Sequence, residues 1–241
     1  MLDAHLQFSR TYQKGASVSD ETLIDHKGSF MYTLFYYPRN ASLAPHFVLQ
    51  ALGVPFQLEL VDRKKVVQKS AQYLKINPTG RIPTLVDDDF VLFESAAICL
   101  YLCEKHPQAH LIPAEPKAKA EFYQWLMYLT TTLQNELMVY FYPERHTQSA
   151  IMYDDIVNTQ QSRISDCLAI LNKHIGDKTY MVNDHFTVCD CYMFMLCVWA
   201  DGLKKPPLSF ANLNRYLKGL AKHPAIKAVC DVEQTNLTIY K

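Results

Sequence analysis

The sequence lacks the features that mark nucleic-acid-binding, membrane-spanning or secreted proteins. Lys plus Arg and Asp plus Glu both number 24 among the 241 residues, so no net charge favours nucleic acid or an anionic membrane. The longest apolar segment, at 188–200, contains Asp190 and is too short to cross a bilayer. The first residues show no basic stretch followed by an apolar core, so we expect no secretory signal.

The seven cysteines and nine histidines also lack the spacings of redox or metal sites. There is no Cys-x-x-Cys pair, and an odd number of cysteines cannot all form internal disulfides. Five cysteines fall in apolar, helix-like stretches, where a free cysteine behaves as a small hydrophobe: Cys99, Cys103, Cys189, Cys191 and Cys197. We therefore expect a reducing, cytoplasmic environment and no metal site.

The part of the chain from 31 to 106 alternates short strands and helices, after an extension at 1–30 that we expect to be flexible. Pattern and breakers predict strands at 32–37 and 56–61, a Pro-led strand near 83–86, a fourth strand near 90–93, and helices at 43–52, 66–74 and 95–106. A strand, a helix and a strand at this spacing form a right-handed parallel crossover. The whole order predicts an α/β domain with a four-stranded mixed sheet and helices on both faces.

The remainder of the chain is predicted to be all helical. Three prolines between 107 and 116 indicate a linker, and apolar residues then recur at helical spacing over about 117–142 and 149–175, which predicts two long helices. Shorter helices are predicted near 211–220 and 224–233. The strongest helix begins at Thr187-Val188-Cys189-Asp190, where Thr187 and Asp190 can satisfy each other's backbone N–H groups. Because this helix is apolar nearly all round, we expect it to be central and buried.

A loop with a proline and an acidic turn after it suggests a peptide-binding edge. The loop is Asn77-Pro78-Thr79-Gly80-Arg81-Ile82-Pro83, and Glu94-Ser95 follows at the start of a helix. If the bond before Pro83 is cis, the N–H and C=O of Ile82 face outward and can pair with an extended peptide. The helix start at Ser95 attracts a carboxylate. The alternative is an ordinary Pro-led hairpin followed by an N-capped helix.

These motifs together resemble the cytosolic glutathione transferases. The resemblance rests on Asn77-Pro78-x-Gly80-x-Ile82-Pro83, on Glu94-Ser95 and on Phe186-Thr187-x-x-Asp190, and it covers about residues 31–235. The stretch 41–46 resembles the start of the first helix in the bacterial beta class. The resemblance implies a thioredoxin-like domain followed by a helical bundle domain, a homodimer, and glutathione as co-substrate with no further cofactor.

The resemblance also implies a set of glutathione-binding residues. Ile82, before a cis Pro83, pairs its backbone with the cysteinyl part of glutathione, and Glu94 with Ser95 holds the γ-glutamyl end. Lys65, or alternatively Lys64, meets the glycyl carboxylate, and Arg81 adds a contact. Two candidates for the second-substrate pocket are Gln134 and Tyr128, although helix packing explains the aromatic cluster of Tyr128, Tyr140, Phe141 and Tyr142 equally well.

The group that activates the thiol is the main departure from the beta class. Ala41 stands where that class has a cysteine, and Gln134 stands where it often has a histidine. We expect Ser42, or Asn40 as a second candidate, to donate a hydrogen bond to the thiolate, with Ser42 as a plain N-cap as the alternative. Lowering a thiol pKa of about 8.5 by about two units requires about 2.7 kcal/mol, which one such bond and a helix N-terminus can supply.

Our hypothesis from the sequence is an enzyme that joins the glutathione thiolate to small, largely apolar electrophiles. A glutathione-dependent peroxidase or isomerase stays open, because these enzymes share the thiol site. A non-catalytic binding or regulatory protein on the same fold is the alternative from another class, and the missing cysteine and histidine favour it.

Overall fold

The computed structural model describes residues 32–241, and the expectation of a flexible extension at 1–30 lies outside them. The first half contains four strands and three helices in the predicted order. They are β1 (Tyr32–Tyr36), α1 (Leu43–Leu52), β2 (Phe56–Leu60), α2 (Ala71–Ile76), β3 (Thr84–Asp87), β4 (Phe90–Phe93) and α3 (Ser95–Lys105). The α/β class and the thioredoxin-like sheet are therefore confirmed.

The four strands form one mixed sheet in the order β2-β1-β3-β4. β1 and β2 are parallel, with Tyr32 opposite Phe56, and α1 makes the crossover between them. β3 runs antiparallel to β1, and a tight turn at Asp88 and Asp89 returns the chain as β4. Because β1 lies between two neighbours, Leu34 at its centre is fully buried.

The second half is all helical, as predicted. Its helices are α4 (Pro116–Met127), α5 (Gln134–Phe141), α6 (Tyr153–Ile175), α7 (Val188–Ala200), α8 (Ala211–Leu220) and α9 (Pro224–Val232). α1 contacts α3 in its own domain and both α7 and α9 in the helical domain, so one apolar core runs through both. The domain limits at 106 and 117 stay predictions.

α7 is the central helix, and its N-terminus is held by a buried carboxylate. The predicted capping box is present: the Asp190 carboxylate accepts hydrogen bonds from the N–H and the hydroxyl of Thr187, at 2.8 and 2.9 Å. It also accepts from the N–H of Met181 and the hydroxyl of Tyr216. Every oxygen of this fully buried group has donors, which offsets the cost of removing it from water.

The structure corrects the prediction of one helix over 66–74. Two 3-10 turns precede α2: Arg63–Lys65, just before the predicted segment, and Val67–Lys69, within it. Val66 adopts a left-handed conformation with φ 58°, and the Asp62 side chain accepts from the N–H groups of Lys64 and Lys65. Local side-chain bonding therefore competes successfully with the helix.

The long helix predicted over 117–142 is also modified. A π-helical segment, Tyr128–Leu133, separates α4 from α5. Among the helices of the described chain, none combines the length and the apolar character needed to cross a bilayer.

Candidate functional site

A cleft of about 740 Å³ lies between the sheet domain and the helical domain. Four stretches of the sheet domain form one wall: the β1–α1 loop, the segment before α2, the loop before β3 and the turn between β4 and α3. Residues of α5, the turn after it and the end of α7 form the other wall. The side chains that line it are Arg39, Asn40, Ala41, Arg63, Gln68, Lys69, Asn77, Thr79, Gly80, Arg81, Ile82, Pro83, Phe93, Glu94, Ser95, Gln134, Met138, Phe141, Tyr142, Arg145 and Trp199.

The side chains of Tyr73 and Asn77 hold the loop before β3 in place through hydrogen bonds. The Asn77 amide donates to the C=O of Arg81 at 2.9 Å and to the Thr84 hydroxyl at 3.0 Å, and the Tyr73 hydroxyl donates to the same C=O at 2.8 Å. The Ile82–Pro83 bond is cis. Within residues 32–241 no hydrogen bond engages the N–H or C=O of Ile82, so both groups are available to a ligand.

Gly80 in this loop brings a lysine to the cleft. It has φ +60°, and a Cβ built there would lie 2.6 Å from the Nζ atom of Lys69. Lys69 donates to the C=O of Thr79 at 3.3 Å, and its side chain therefore lies across the loop. Glycine is required for both reasons, since it alone accepts this φ without cost and leaves room for the lysine.

The turn between β4 and α3 supplies the acidic side chain of the cleft. Glu94 is exposed and left-handed, with φ 75° and ψ 112°, which is unusual for a residue with a side chain. Ser95 begins α3 and is buried. Free N–H groups at a helix start, beside an exposed carboxylate, form a site for a group that carries both a carboxylate and an ammonium.

Two neighbouring polar residues in the β1–α1 loop have different surroundings. Asn40 lines the cleft; its side-chain oxygen accepts from the N–H of Ala41 at 2.8 Å, and its amide nitrogen has no partner among residues 32–241. The Ser42 hydroxyl is fully buried, donating to the C=O of Tyr37 at 3.2 Å and accepting from its N–H at 3.3 Å. Asn40 therefore has a free donor at the cleft, and Ser42 does not.

The helical domain holds this same loop from behind. The N–H of Arg39 donates to Glu233 Oε2 at 2.9 Å, and the Trp199 indole N–H donates to the C=O of Arg39 at 3.0 Å. The second oxygen of Glu233 lies 2.7 Å from His46 Nδ1 on α1, and both side chains are buried. Sequence reasoning missed this contact, because 194 residues separate Arg39 and Glu233.

Two arginines, Arg63 from the sheet-domain wall and Arg145 from the helical-domain wall, contact the same tyrosine. Arg63 donates to the Tyr142 hydroxyl at 3.0 Å, and the guanidinium carbon of Arg145 lies 3.9 Å from the centre of the Tyr142 ring. Arg63 has no carboxylate partner within the described chain, and Arg145 meets only Glu144, at 3.9 Å.

Two family models match the chain on either side of the domain junction. The model described as "Glutathione S-transferase, N-terminal domain" matches residues 31–104, and the model described as "Glutathione S-transferase, C-terminal domain" matches residues 131–231. The chain belongs to the glutathione S-transferase family. The matched segments contain the loop before β3, the Glu94 turn and the capping box of α7.

Two curated proteins are similar to this one over most of the chain. Glutathione S-transferase GstA of Escherichia coli O157:H7 is 27% identical over 203 residues, which are 83% of this chain and 98% of that protein. A stringent starvation protein A homolog of Coxiella burnetii is 28% identical over 193 residues, which are 79% of this chain and 86% of that protein.

Solved structures of the family superpose well on this chain. A glutathione transferase homolog from Sulfitobacter, solved with bound glutathione, has a TM-score of 0.78 at 25% identity and covers 84% of this chain and 98% of its own. A bacterial beta-class glutathione S-transferase of Sphingomonas chungbukensis has a TM-score of 0.74 at 26% identity, covering 85% and 100%. The resemblance to the beta class is thus confirmed by structure.

Most of the residues that the transferase resemblance implies do line the cleft. The set comprises Asn40, Arg81, Ile82, Pro83, Glu94, Ser95 and Gln134. Their roles stay predictions, but the fold brings them together from loops that are up to about 90 residues apart in sequence.

Four implied residues, counting both lysine alternatives, do not line the cleft, and their roles stay predictions. The Lys65 side chain is 81% exposed and lies 3.6 Å from Asp62, because the 3-10 turns point it outward, and Lys64 likewise does not line the cleft. Ser42 is buried against Tyr37. Tyr128 lies at the start of the π-helical segment, with its ring against Trp125 and its hydroxyl enclosed. Burial raises the pKa of Tyr128, and the neighbouring Cys167 adds to this.

Gln134 is held in one orientation by a buried tyrosine. The Tyr192 hydroxyl donates to the Gln134 side-chain oxygen at 2.8 Å. Burial raises the pKa of Tyr192, so it stays a protonated donor at neutral pH, although hydrogen bonds to Ser95 and Gln134 act in the opposite direction. The amide nitrogen of Gln134 is left to face a ligand as a donor.

The cysteines and histidines of the described chain form no alternative reactive centre. All seven cysteines are free and buried, and burial raises the thiol pKa of Cys103, for example, to about 12. Residues 32–241 contain no group of His, Cys, Asp or Glu side chains arranged to hold a metal ion.

Proposed function

We propose that this member of the glutathione S-transferase family is a transferase that joins the glutathione thiolate to small electrophiles. The observation that carries the proposal is the pair of unsatisfied recognition elements on one wall of the cleft. These are the free backbone groups of Ile82 and the exposed Glu94 beside the start of α3. A protein that only needs the scaffold has no use for either.

Each part of the tripeptide has a matching group. The cysteinyl backbone pairs with the N–H and C=O of Ile82, as an added strand does. The γ-glutamyl ammonium meets Glu94, and its carboxylate meets Ser95 and the free N–H groups of α3. We assign the glycyl carboxylate to Lys69 and Arg81, in place of the Lys65 expected from sequence. The family resemblance further leads us to expect a homodimer.

With the tripeptide seated in this way, its sulfur faces the β1–α1 loop. The free amide of Asn40 and the N-terminus of α1 are the groups there that stabilise a thiolate. A hydrogen bond to a charged group contributes about 1.5–3 kcal/mol and a helix terminus about 0.3–1 kcal/mol. Their sum brings a thiol pKa of about 8.5 down to near neutrality, where the thiolate attacks the electrophile.

Turnover of 1-chloro-2,4-dinitrobenzene, with calorimetric titration of glutathione, tests this function. The wild type is expected to bind glutathione and to form the conjugate. Asn40→Ala is expected to lower kcat/KM by about 10–100-fold, the equivalent of one charged hydrogen bond. Binding heat that vanishes in Glu94→Gln would support the γ-glutamyl assignment.

The second candidate is a non-catalytic binding or regulatory protein on this fold. It is favoured by Ala41 at the position of the beta-class cysteine and by the similarity to a relative named for stringent starvation rather than transfer. The same two measurements separate the candidates. Absence of both turnover and glutathione heat would support the second candidate and reject the transferase.

A further inference from the structure

The charges around the cleft are strongly one-sided. The side chains that line it include five cations and one carboxylate: Arg39, Arg63, Lys69, Arg81 and Arg145 against Glu94. The chain as a whole carries 24 basic and 24 acidic residues, so this excess is local to the cleft. A cleft lined by one sign of charge raises the local concentration of the opposite ion.

Glutathione itself uses only part of this excess. Its ammonium meets Glu94, and its glycyl carboxylate meets Lys69 and Arg81 on the sheet-domain wall. The Arg39 charge acts on Asp201, lowering the pKa of that carboxyl against the larger effect of burial, although the two side chains form no ion pair in the described chain. Arg63 and Arg145 remain, and both line the cleft in contact with Tyr142.

Of these two arginines, Arg63 has no carboxylate partner within the described chain, and Arg145 has only the exposed Glu144, at 3.9 Å. Arg63 is half-buried, donates to the Tyr142 hydroxyl and lies 5.9 Å from the centre of the Tyr37 ring. Arg145 covers the face of the same Tyr142 ring at 3.9 Å. The two guanidinium groups carry the same charge and contact the same Tyr142 side chain, so they repel each other. An anion placed between their N–H donors offsets that repulsion.

An apolar surface lies next to this cationic pair. Phe141 is 43% exposed and lines the cleft, and Met138 and Trp199 line it as well. An aromatic or alkenyl body can therefore contact these three side chains while its acidic group reaches the arginines.

We propose that the second substrate is an anionic electrophile, with a carboxylate held by Arg63 and Arg145 and an apolar reactive body against Phe141. This inference rests on the proposed function and refines the expected class of largely apolar electrophiles. With an aryl chloride, the reaction is a substitution of chloride by the glutathione thiolate. The thiol proton goes to solvent, the thiolate sulfur bonds to the ring carbon, and the carbon–chlorine bond breaks with chloride leaving as the anion.

A matched pair of substrates tests the proposal: neutral 1-chloro-2,4-dinitrobenzene and anionic 4-chloro-3,5-dinitrobenzoate. Each kcat/KM is divided by the rate constant of the uncatalysed reaction with glutathione, which removes intrinsic reactivity. The wild type is expected to favour the benzoate by about tenfold in this ratio, as expected for a carboxylate paired with two partly exposed arginines.

Variants then assign the preference to the two arginines. Arg63→Gln and Arg145→Gln are each expected to lower the benzoate preference severalfold, and Arg145→Lys is expected to keep part of it. Lys227→Gln, which removes one charge from the exposed face of α9 outside the cleft, controls for net charge and is expected to keep the full preference.

The possible outcomes separate the two proposals. Turnover of both substrates with no preference for the benzoate, or a preference that both Gln variants retain, overturns the anionic substrate and leaves the transferase intact. Absence of turnover with either substrate, together with no glutathione binding, overturns the proposed function and this inference with it.

Discussion

At the scale of single residues, two neighbouring polar side chains of the β1–α1 loop are suited to different roles, one to stability and the other to chemistry. Ser42 turns its hydroxyl inward, where the two backbone groups of Tyr37 use both its donor and its acceptor. The side-chain oxygen of Asn40, two residues earlier, accepts a hydrogen bond within the loop, and its amide nitrogen has no partner in the described chain. The sequence shows both as small polar residues before a helix and does not distinguish them.

Ser42→Ala is therefore expected to affect stability more than catalysis. Removing the hydroxyl leaves the Tyr37 N–H without its acceptor and the Tyr37 C=O with only the Asn40 N–H as donor, which costs about 1–3 kcal/mol. Urea unfolding measures the loss, and kcat/KM for 1-chloro-2,4-dinitrobenzene is expected to stay within about threefold of wild type. A loss of activity as large as that in Asn40→Ala, with stability unchanged, would restore Ser42 as the thiol donor.

Gly80 is the second position where one residue determines the geometry of the site. Gly80→Ala is expected to destabilise the fold by about 1–2 kcal/mol, because an alanine disfavours φ +60°, and to weaken glutathione binding by displacing Lys69. Denaturant unfolding and calorimetry measure the two effects. Gly219→Ala is the matched control: in the interior of α8, with open space around its Cβ, it is expected to be neutral or stabilising. Unchanged glutathione binding in Gly80→Ala would contradict the placement of Lys69.

At the scale of elements, the end of α7 carries a titrating group. Asp201 follows α7 and accepts from the Tyr240 hydroxyl at 2.8 and 2.9 Å, which ties the C-terminal segment to the helix. Burial raises the pKa of Asp201 from 3.8 to about 6, although the Tyr240 hydrogen bond and Arg39 oppose the shift. The folded protein therefore binds a proton here that the unfolded chain releases between about pH 4 and 6.

This carboxyl is expected to lower stability as the pH rises. Because the folded pKa lies above the unfolded value, the contribution of Asp201 is fully favourable below pH 4 and is lost by about pH 6. Asp201→Asn keeps an acceptor for Tyr240 but removes the titration. Its stability relative to wild type is expected to improve by about 1–2 kcal/mol from pH 4 to pH 7, after allowance for partial exposure. A stability difference that is flat with pH would contradict the raised pKa.

Most elements were predictable because their signals are local. Gly53 ends α1 in the left-handed conformation, the capping box begins α7, and Pro83 precedes β3. The two failures have local causes that periodicity does not report. At 66–74 the Asp62 side chain bonds backbone N–H groups and Val66 turns left-handed, and at Tyr128–Leu133 the helix takes a π-helical turn.

At the scale of the whole molecule, the helical domain positions the loop that bears Asn40. Arg39 is left-handed, with φ 56°, and both of its backbone groups are bound by the other domain, through Glu233 and Trp199. The same Glu233 pairs with His46 inside α1. The β1–α1 loop is thus fixed by side chains 160 and 194 residues away in sequence.

Glu233→Gln tests this contact between the domains. One of its two partners, the Arg39 N–H or His46 Nδ1, then faces an amide donor, which is expected to cost about 3 kcal/mol in stability. The looser β1–α1 loop is expected to lower kcat while Glu94 and Ile82 keep glutathione binding. Thermal unfolding and steady-state kinetics measure both, with Glu59→Gln on exposed β2 as the control. Wild-type kcat in a folded Glu233→Gln protein would contradict the positioning role.

The candidate site was predictable in part for the same reason. Ile82, Pro83, Glu94 and Ser95 belong to continuous motifs, so sequence placed them together. Lys69 and Glu233 belong to no sequence motif. Lys69 is positioned by the left-handed Val66 and by Gly80, and Glu233 is positioned by tertiary packing across the molecule. Contacts of this kind form only in the completed fold, so no local sequence pattern predicts them.

The most direct test is the ultraviolet absorbance of the glutathione thiolate in the bound state, titrated with pH. The thiol pKa of glutathione bound to the wild type is expected to lie about two units below the free value of about 8.5. In Asn40→Ala most of this pKa shift is expected to be lost. Glutathione that binds but ionises as it does in free solution would contradict the central claim that the cleft presents the sulfur to Asn40 and the start of α1.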